Sequence, residues 1–292
     1  MLGVGRGDVF LCPHEKAWET ESENTINRLK KILGNIAKGI EHVGSTSVPT
    51  IMAKPIIDIA LSVESFDAVL AFEKELEADG FYYRPNVSDR EQLLFSCGSY
   101  YDGSGALQTH FIHVVLENSE DWINYIAFRN YLRKHEPVAK QYEALKISLA
   151  KEFEGHREKY TPGKQELIST IIKKARLNDY LGKTVAIEID RPKGSVHPKF
   201  ENMVYPVNYG YVPNTTSGDG KEVDVYVLGI NEPLNTFEGE VIAVVHRYND
   251  NENKLVAAPL GVKFSCEEIK NAIWFQEKYF ETEIEVFEED KR

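Results

Sequence analysis

Two stretches of the chain hold residues whose types and spacing suit phosphate chemistry. The first is "IEHVGSTSVPTIMAKPIIDI". Gly44 and Ser45, placed after a strand, offer backbone N–H groups and a hydroxyl that can hold a phosphate, although a Gly-Ser pair also reads as a plain turn. Asp58 lies on the next expected strand, where a carboxylate can hold Mg²⁺ against that phosphate. His42, His110 and His113 can converge with Asp58 on a transition metal or a phosphate, since imidazole serves both. Residues three apart on a regular strand face opposite ways, so His110 and His113 meet only across a bulge or a strand end. Lys54, at the strand start, reads as solvated.

The second stretch is "SGDGKEVDV", with Asp219 and Asp224 around Lys221 and Glu222. Gly218 and Gly220 put Asp219 in a turn and Asp224 just inside a strand, so both carboxylates can meet one cation. Taken alone it is a polar turn. Upstream, Tyr205, Tyr209 and Tyr211 are dense for a loop; their phenols can donate to phosphate oxygens or pack as core. Along the following strand, Val223, Val225 and Val227 share one face, and Asp224, Tyr226 and Leu228 the other.

Elements must position these groups. Apolar periodicity predicts a helix over 21–36, strands over 39–44 and 54–63, and a helix over 65–80 with Ser65 as N-cap and Gly80 as C-cap. Strands over 91–98 and 109–117 follow, then three helices: 119–135, 137–155 and 161–182. After about residue 180 come short strands punctuated by Gly and Pro, one helix opened by a Ser265/Glu268 capping box, and a final half-buried strand with a solvated tail. The expected domains are 1–178 and 179–292.

Composition narrows the function classes. The formal net charge is -12. From Lys183 onward, 12 basic and 20 acidic residues leave -8, so the first 182 residues carry -4. Both halves are acidic, which argues against broad nucleic-acid or anionic-membrane binding. No apolar run reaches the ~18 residues of a membrane helix, and the N-terminus lacks the pattern of a secretory signal. Cys12, Cys97 and Cys266 are sparse and form no CxxC pair, which fits a reduced, cytoplasmic protein without a thiolate zinc site.

"EHVGSTSVPTIMAKPIIDI", with "THFIHVV", "AFRNYLRKHEPVAKQYEALKISLA" and "YTPGKQELISTIIKKA", resembles the GrpB family over roughly 9–175. The resemblance implies a nucleotidyltransferase-like α/β (α+β) fold with a helical C-terminal part. Gly44, Ser45 and Asp58 match the superfamily pattern. Ala60 stands where that pattern has a second carboxylate, and His110 and His113 where it has a third, which departs from standard two-metal transfer.

"YPVNYGY", "DGKEVD" and "ENKLVAAP" resemble the soluble inorganic pyrophosphatases over about 185–287. That resemblance implies a small β-barrel of the OB type with one terminal helix, Mg²⁺ held by Asp219, Asp224, Glu252 and Asp250, and phosphates held by Lys254 and Tyr209. Lys221 replaces the middle acid of the family loop, Glu222 its proline, and Glu252 an aspartate. No early lysine strand is evident, so Arg191, Lys193 or His197 supplies positive charge instead.

The expected function is therefore Mg²⁺-dependent hydrolysis of pyrophosphate or a related phosphoanhydride, beside a domain that transfers or binds a nucleotide. Asp219, Asp224 and Tyr209 are the catalytic candidates. The alternative is a non-catalytic nucleotide or polyphosphate sensor with thinned metal sites. A relic scaffold ranks last, because four polar residues of one site are retained. The oligomeric state is not legible.

Overall fold

The computed structural model describes residues 2–153 and 156–287. The chain divides into two compact units, Met1–Ile168 and Ser169–Arg292.

The first unit is a five-stranded sheet with helices on both faces. Helix α1 (Ala17–Leu33) precedes β1 (Ala37–Val43) and β2 (Ile57–Val63). Strands β3 (Tyr82–Tyr83), β4 (Gln92–Cys97) and β5 (His110–Leu116) complete the sheet, in the order β1-β2-β5-β4-β3. Only the β2–β5 pair is parallel. One sheet face buries Ile57, Ile59, Leu61, Ile112 and Val114 with Trp18, Leu29 and Leu33 of α1. Helices α2 (Glu120–Lys134) and α3 (Glu136–Glu152) follow, α2 capped by the Ser119 hydroxyl, which accepts from Trp122 N–H at 3.3 Å. The helix expected over 65–80 is broken into Phe66–Leu70 and Glu73–Ala78, and Ser65 makes no capping bond. Phe72 leaves helical geometry at the break, and Phe66, Val69, Phe72 and Leu76 all reach the same core. Of the helix expected to 155, residues 154 and 155 lie outside the described part.

In the second unit the strands are β6 (Thr184–Arg191), the hairpin β7 (Val196–His197) and β8 (Phe200–Val204), β9 (Asn208–Val212), β10 (Val223–Val227), β11 (Thr236–Arg247), β12 (Lys254–Ala258) and β13 (Thr282–Val286). The large sheet runs β12-β10-β9-β6-β11-β13, and β12 also pairs β11, so five strands pair in a circuit that returns on itself. Strand β11 makes this possible. Its first half pairs β6, its second half pairs β12, and the register shifts between Val241 and Ala243.

Alternation then gives two cores. Val185, Ile187, Val223, Val225, Val227, Leu255 and Ala257 pack on one face. Tyr205, Tyr209, Tyr226, Val256 and Ala258 pack on the other, with Ile269 and Ile273 of helix α5 (Cys266–Glu277). The capping box of α5 is formed by Ser265 and Glu268.

Strand β9 corrects the expectation of a tyrosine-rich loop. Gly210 lets β9 lie close against β6: a Cβ there would stand 1.9 Å from the Glu188 carbonyl oxygen. The two compact units part between Ile168 and Ser169. In the helix α4 (Gln165–Arg176), Lys174 donates to the Arg247 carbonyl at 2.8 Å and to that of Asp250, and Leu177 joins the second unit's core. The acidic tail expected after Phe287 lies outside the described residues. Among the described residues no helix is long and apolar enough to cross a membrane.

Candidate functional sites

In the first unit, strand register decides which residues meet. Val43 pairs with Asp58, Glu41 with Ala60, and Ala60 with His113. Asp58, Ala60, Ser62, Glu41 and His113 therefore share one face. His42 pairs with Ile59 and His110 with Ile57, so both point to the other face, toward α1. The expected four-residue convergence of His42, His110, His113 and Asp58 is not formed, because the strands are regular there.

His110 and His42 are instead buried and hydrogen-bonded on the α1 side of the sheet. His110 Nε2 lies 3.2 Å from Thr25 Oγ1, and its Nδ1 2.9 Å from Thr109 Oγ1. His42 Nε2 lies 3.0 Å from Thr46 Oγ1, which donates to the Ile56 carbonyl at 3.2 Å. Burial pushes both imidazoles down to about 4, so both are neutral at pH 7.

What remains on the other face is a relay. Tyr125 donates to Gln92 Oε1 at 2.7 Å, Gln92 Nε2 lies 3.2 Å from His113 Nδ1, and His113 Nε2 lies 3.4 Å from Asp58 Oδ1. Because the Gln92 carbonyl accepts from tyrosine, its amide donates to Nδ1, and the imidazole proton sits on Nε2, aimed at Asp58. Burial pushes the Asp58 carboxyl up, but the His113 hydrogen bond and the charges of Lys54 and Lys164 outweigh it and hold the group below its ordinary value.

The second carboxylate oxygen of Asp58 lies under Gly44. A Cβ on Gly44 would stand 2.4 Å from Oδ2, and φ is +69°. Only glycine fits this approach of loop to carboxylate. The Ser45 hydroxyl hydrogen-bonds the buried Tyr142 phenol, which burial pushes up to about 12. Four basic side chains hold carbonyls at the end of β1 and in the β1–β2 loop. Arg129 donates to His42 O at 2.9 Å, Arg133 to Ser47 O at 2.8 Å, Lys140 to Thr50 O and Lys146 to Met52 O.

In the second unit the site is built across three strands. Lys254 begins β12, which runs parallel to β10 with Val225 opposite Leu255, so Lys254 lies beside Asp224. Lys254 is 1% exposed. Its ammonium donates to Asp224 Oδ2 at 2.5 Å and to Glu252 Oε1 at 2.6 Å. Tyr209, from β9, donates to the same Asp224 oxygen at 2.5 Å. Burial, then the charge of Asp224, pushes the Tyr209 phenol well above its ordinary value, so it stays a donor. Burial also pushes Glu252 up, against the opposing charge of Lys254.

The remaining candidates fall elsewhere. Asp219 stays in an exposed turn, where it accepts from the Lys221 N–H at 3.0 Å and lies 3.5 Å from the Lys221 ammonium. Asp250 is taken by Arg247 at 2.8 Å. Lys193 reaches Asn231 at 3.2 Å. Among the described residues, no three of Asp219, Asp224, Glu252 and Asp250 bring donor atoms within 4.8 Å of one another. The shared metal cage the acid pattern suggested is thus replaced, in this geometry, by a lysine between two carboxylates.

Sequence reasoning missed three members of this region. Asp190 carries a carboxyl pushed up by burial and by the nearby Asp224 charge, against Arg191, which donates to it at 2.8 Å. The alternating acids of "IEID" were the available signal. Arg247, 2% exposed, and Glu277 form a bidentate buried pair at 2.9 and 2.6 Å, with the Tyr226 hydroxyl also on Glu277. Nothing in local spacing signals a partner on a helix thirty residues away.

The fold describes a fusion of an α/β unit and a β-rich unit. The chain belongs to the GrpB family, whose model matches residues 8–174, and residues 180–290 match the inorganic pyrophosphatase model. The glutamate-rich protein GrpB of Alkalihalophilus pseudofirmus is 35% identical over 173 residues, covering 59% of this chain and 98% of that protein. The crystal structure of GrpB from Enterococcus faecalis is 31% identical, with a TM-score of 0.53, and covers 59% of this chain and 99% of that one. The inorganic pyrophosphatase of Ehrlichia chaffeensis is 21% identical with a TM-score of 0.30, covering 37% of this chain and 88% of that one.

Proposed function

We propose that the second unit hydrolyses pyrophosphate or a related phosphoanhydride with Mg²⁺, and that the first unit binds or transfers a nucleotidyl group in the cytoplasm. The observation that carries the hydrolase half is the Tyr209–Asp224–Lys254–Glu252 cluster, in a segment that matches the pyrophosphatase model. The circuit of five paired strands supports the small-barrel reading of that segment. Pyrophosphatases generally use divalent cations, typically Mg²⁺; the acids here are of the right hard-oxygen type, two of them destabilised by burial, although Lys254 occupies the space between Asp224 and Glu252 in this geometry. Asp224, Glu252 and Asp190 would hold the cation, with Asp219 reaching in from its turn. Such a cation would neutralise phosphate charge and lower the pKa of a bound water.

The chain's own groups do the rest. Lys254 and Arg191 would supply positive charge to a bound phosphate, and Tyr209 a phenol that remains a donor. In the first unit, Asp58 with its Gly44–Ser45 loop supports a single-carboxylate nucleotide site. Nucleotidyl transfer releases pyrophosphate, so a hydrolase on the same chain would pull such a reaction forward.

The test is Mg²⁺-dependent phosphate release from pyrophosphate by wild type and Asp224→Ala. Loss of at least about 100-fold in the variant is expected. Equal, background-level release from both would remove the hydrolase reading.

A second reading, a non-catalytic nucleotide or polyphosphate sensor, is favoured by Ala60 and Lys221 at carboxylate positions and by Lys254 filling the space between Asp224 and Glu252. Calorimetry against nucleotides, with and without Mg²⁺, separates the two: tight binding without turnover supports the sensor, and turnover excludes it.

A further inference from the structure

A cavity of about 720 Å³ opens between the β7–β8 hairpin and the C-terminal end of α5. Its walls are aromatic: His197 and Phe200 from the hairpin, and Phe275, Tyr279 and Phe280 from the helix end, with Lys278 beside them. Phe200 is 58% and Tyr279 62% exposed, so two of these rings present apolar surface to water. The volume is that of a site for an organic small molecule. Inorganic pyrophosphate is small, fully charged and without apolar surface. It has no use for such a wall.

The cavity lies on one side of a layer of packed rings whose other side carries the acid cluster. Tyr205 stacks on His197 at 6.0 Å, meets Phe275 edge-on at 5.3 Å, and packs on Tyr209 at 5.4 Å. Tyr209 then donates to Asp224. Arg191 stands along this path. It is paired opposite Tyr209 in the β6–β9 ladder, hydrogen-bonds Tyr205, and its charge is felt at His197 on the cavity wall. An aromatic cavity, then a guanidinium, then a Lys–Asp–Glu cluster is an order that matches a base, a first phosphate and a terminal phosphate.

We propose that the second unit takes a nucleoside 5′-diphosphate, its base stacked in the aromatic cavity, its first phosphate at Arg191 and its terminal phosphoryl group at the Asp224–Lys254 cluster; this rests on the phosphoanhydride-hydrolysis reading above. In the reaction, a water oxygen bonds to the terminal phosphorus and the bond from that phosphorus to the bridging oxygen breaks. The bridging oxygen leaves with the electron pair. The products are the nucleoside monophosphate, orthophosphate and one proton, which passes to solvent.

The experiment uses the full chain with Mg²⁺ and measures phosphate release from adenosine 5′-diphosphate and from inorganic pyrophosphate, for wild type, Phe200→Ala and Asp224→Ala. The nucleotide is expected to be preferred in kcat/KM by about tenfold or more, the scale of one good base–ring stack. Phe200→Ala is expected to reduce the nucleotide-to-pyrophosphate ratio about tenfold, through KM. Phe200 is exposed, so the variant should keep its fold, which circular dichroism checks. A preference for pyrophosphate, or a ratio unmoved by Phe200→Ala while Asp224→Ala abolishes both reactions, overturns the nucleotide proposal and leaves the hydrolase reading standing. If neither compound is hydrolysed, the hydrolase reading falls, and calorimetry with adenosine 5′-diphosphate decides the ligand. Binding weakened by Phe200→Ala supports the cavity's role; no binding overturns it.

Discussion

At the scale of single residues, burial sets the charge state of nearly every group that matters. Lys254 is buried, and both Asp224 and Glu252 accept from it; removing one partner would leave the other end of a buried ion pair exposed to desolvation without compensation. His42 and His110 show the opposite outcome. Both have hydroxyl partners, and His110 also has the Glu21 carboxylate at 3.4 Å, yet burial wins and lowers both to about 4, against about 6.5 when unfolded. Between pH 6.5 and 4 the unfolded chain binds these protons and the folded chain does not. Stability is therefore fully present above pH 6.5 and is lost as pH falls through that window, by up to about 3 kcal/mol for each histidine. Urea unfolding from pH 7 to pH 4 should show this fall, and His110→Gln should flatten it. An identical slope in both proteins would contradict the assignment. Residue types alone identified these histidines as unusual. Which face each one takes depends on strand register, which residue types do not record, and only His113 meets Asp58.

Elements explain what was legible and what was not. The run from Ile57 to Val63 reads as a buried strand because its apolar residues are continuous, and α5 reads as a helix because Ser265 and Glu268 announce its start. Strand β9 is hidden by its composition. Asn208, Tyr209, Gly210 and Tyr211 are turn-like or amphipathic, and their strand state comes from neighbours β6 and β10, which no local pattern records. The Asp224–Lys254 pair is hidden likewise, since it arises where β10 and β12 run parallel. Gly210 is the element's most constrained position. Gly210→Ala would drive a methyl into the Glu188 carbonyl and force β6 and β9 apart. A loss of about 2–3 kcal/mol in the second unit's unfolding free energy is expected, the usual scale of overpacking, with β9 carrying Tyr209 away from Asp224. Denaturant unfolding and phosphate release measured on the same sample test both halves; a variant as stable and as active as wild type would refute the close approach.

At the scale of the whole chain, two units each own a hydrophobic core, and the family matches end at 174 and resume at 180. The physical limit of the second unit lies earlier than either number. Lys174 ties α4 to the Arg247 and Asp250 carbonyls, next to the Arg247–Glu277 pair that supports Tyr226 and the tyrosine layer under the acid cluster. Leu177 fills the core on the other side of the sheet. A piece spanning 169–292 keeps these contacts; one spanning 180–292 lacks them and leaves the buried Arg247 carbonyl and the part-buried Asp250 carbonyl without their donor. Losing the buried leucine and those hydrogen bonds amounts to about 3 kcal/mol. For a domain of this size that corresponds to a melting temperature lower by about 10 °C in the shorter piece. Thermal unfolding of the two pieces measures it directly, and phosphate release from each shows whether the catalytic groups are positioned by the second unit alone. Equal melting temperatures would mean that α4 contributes nothing to this unit, and that the boundary belongs where the family matches put it.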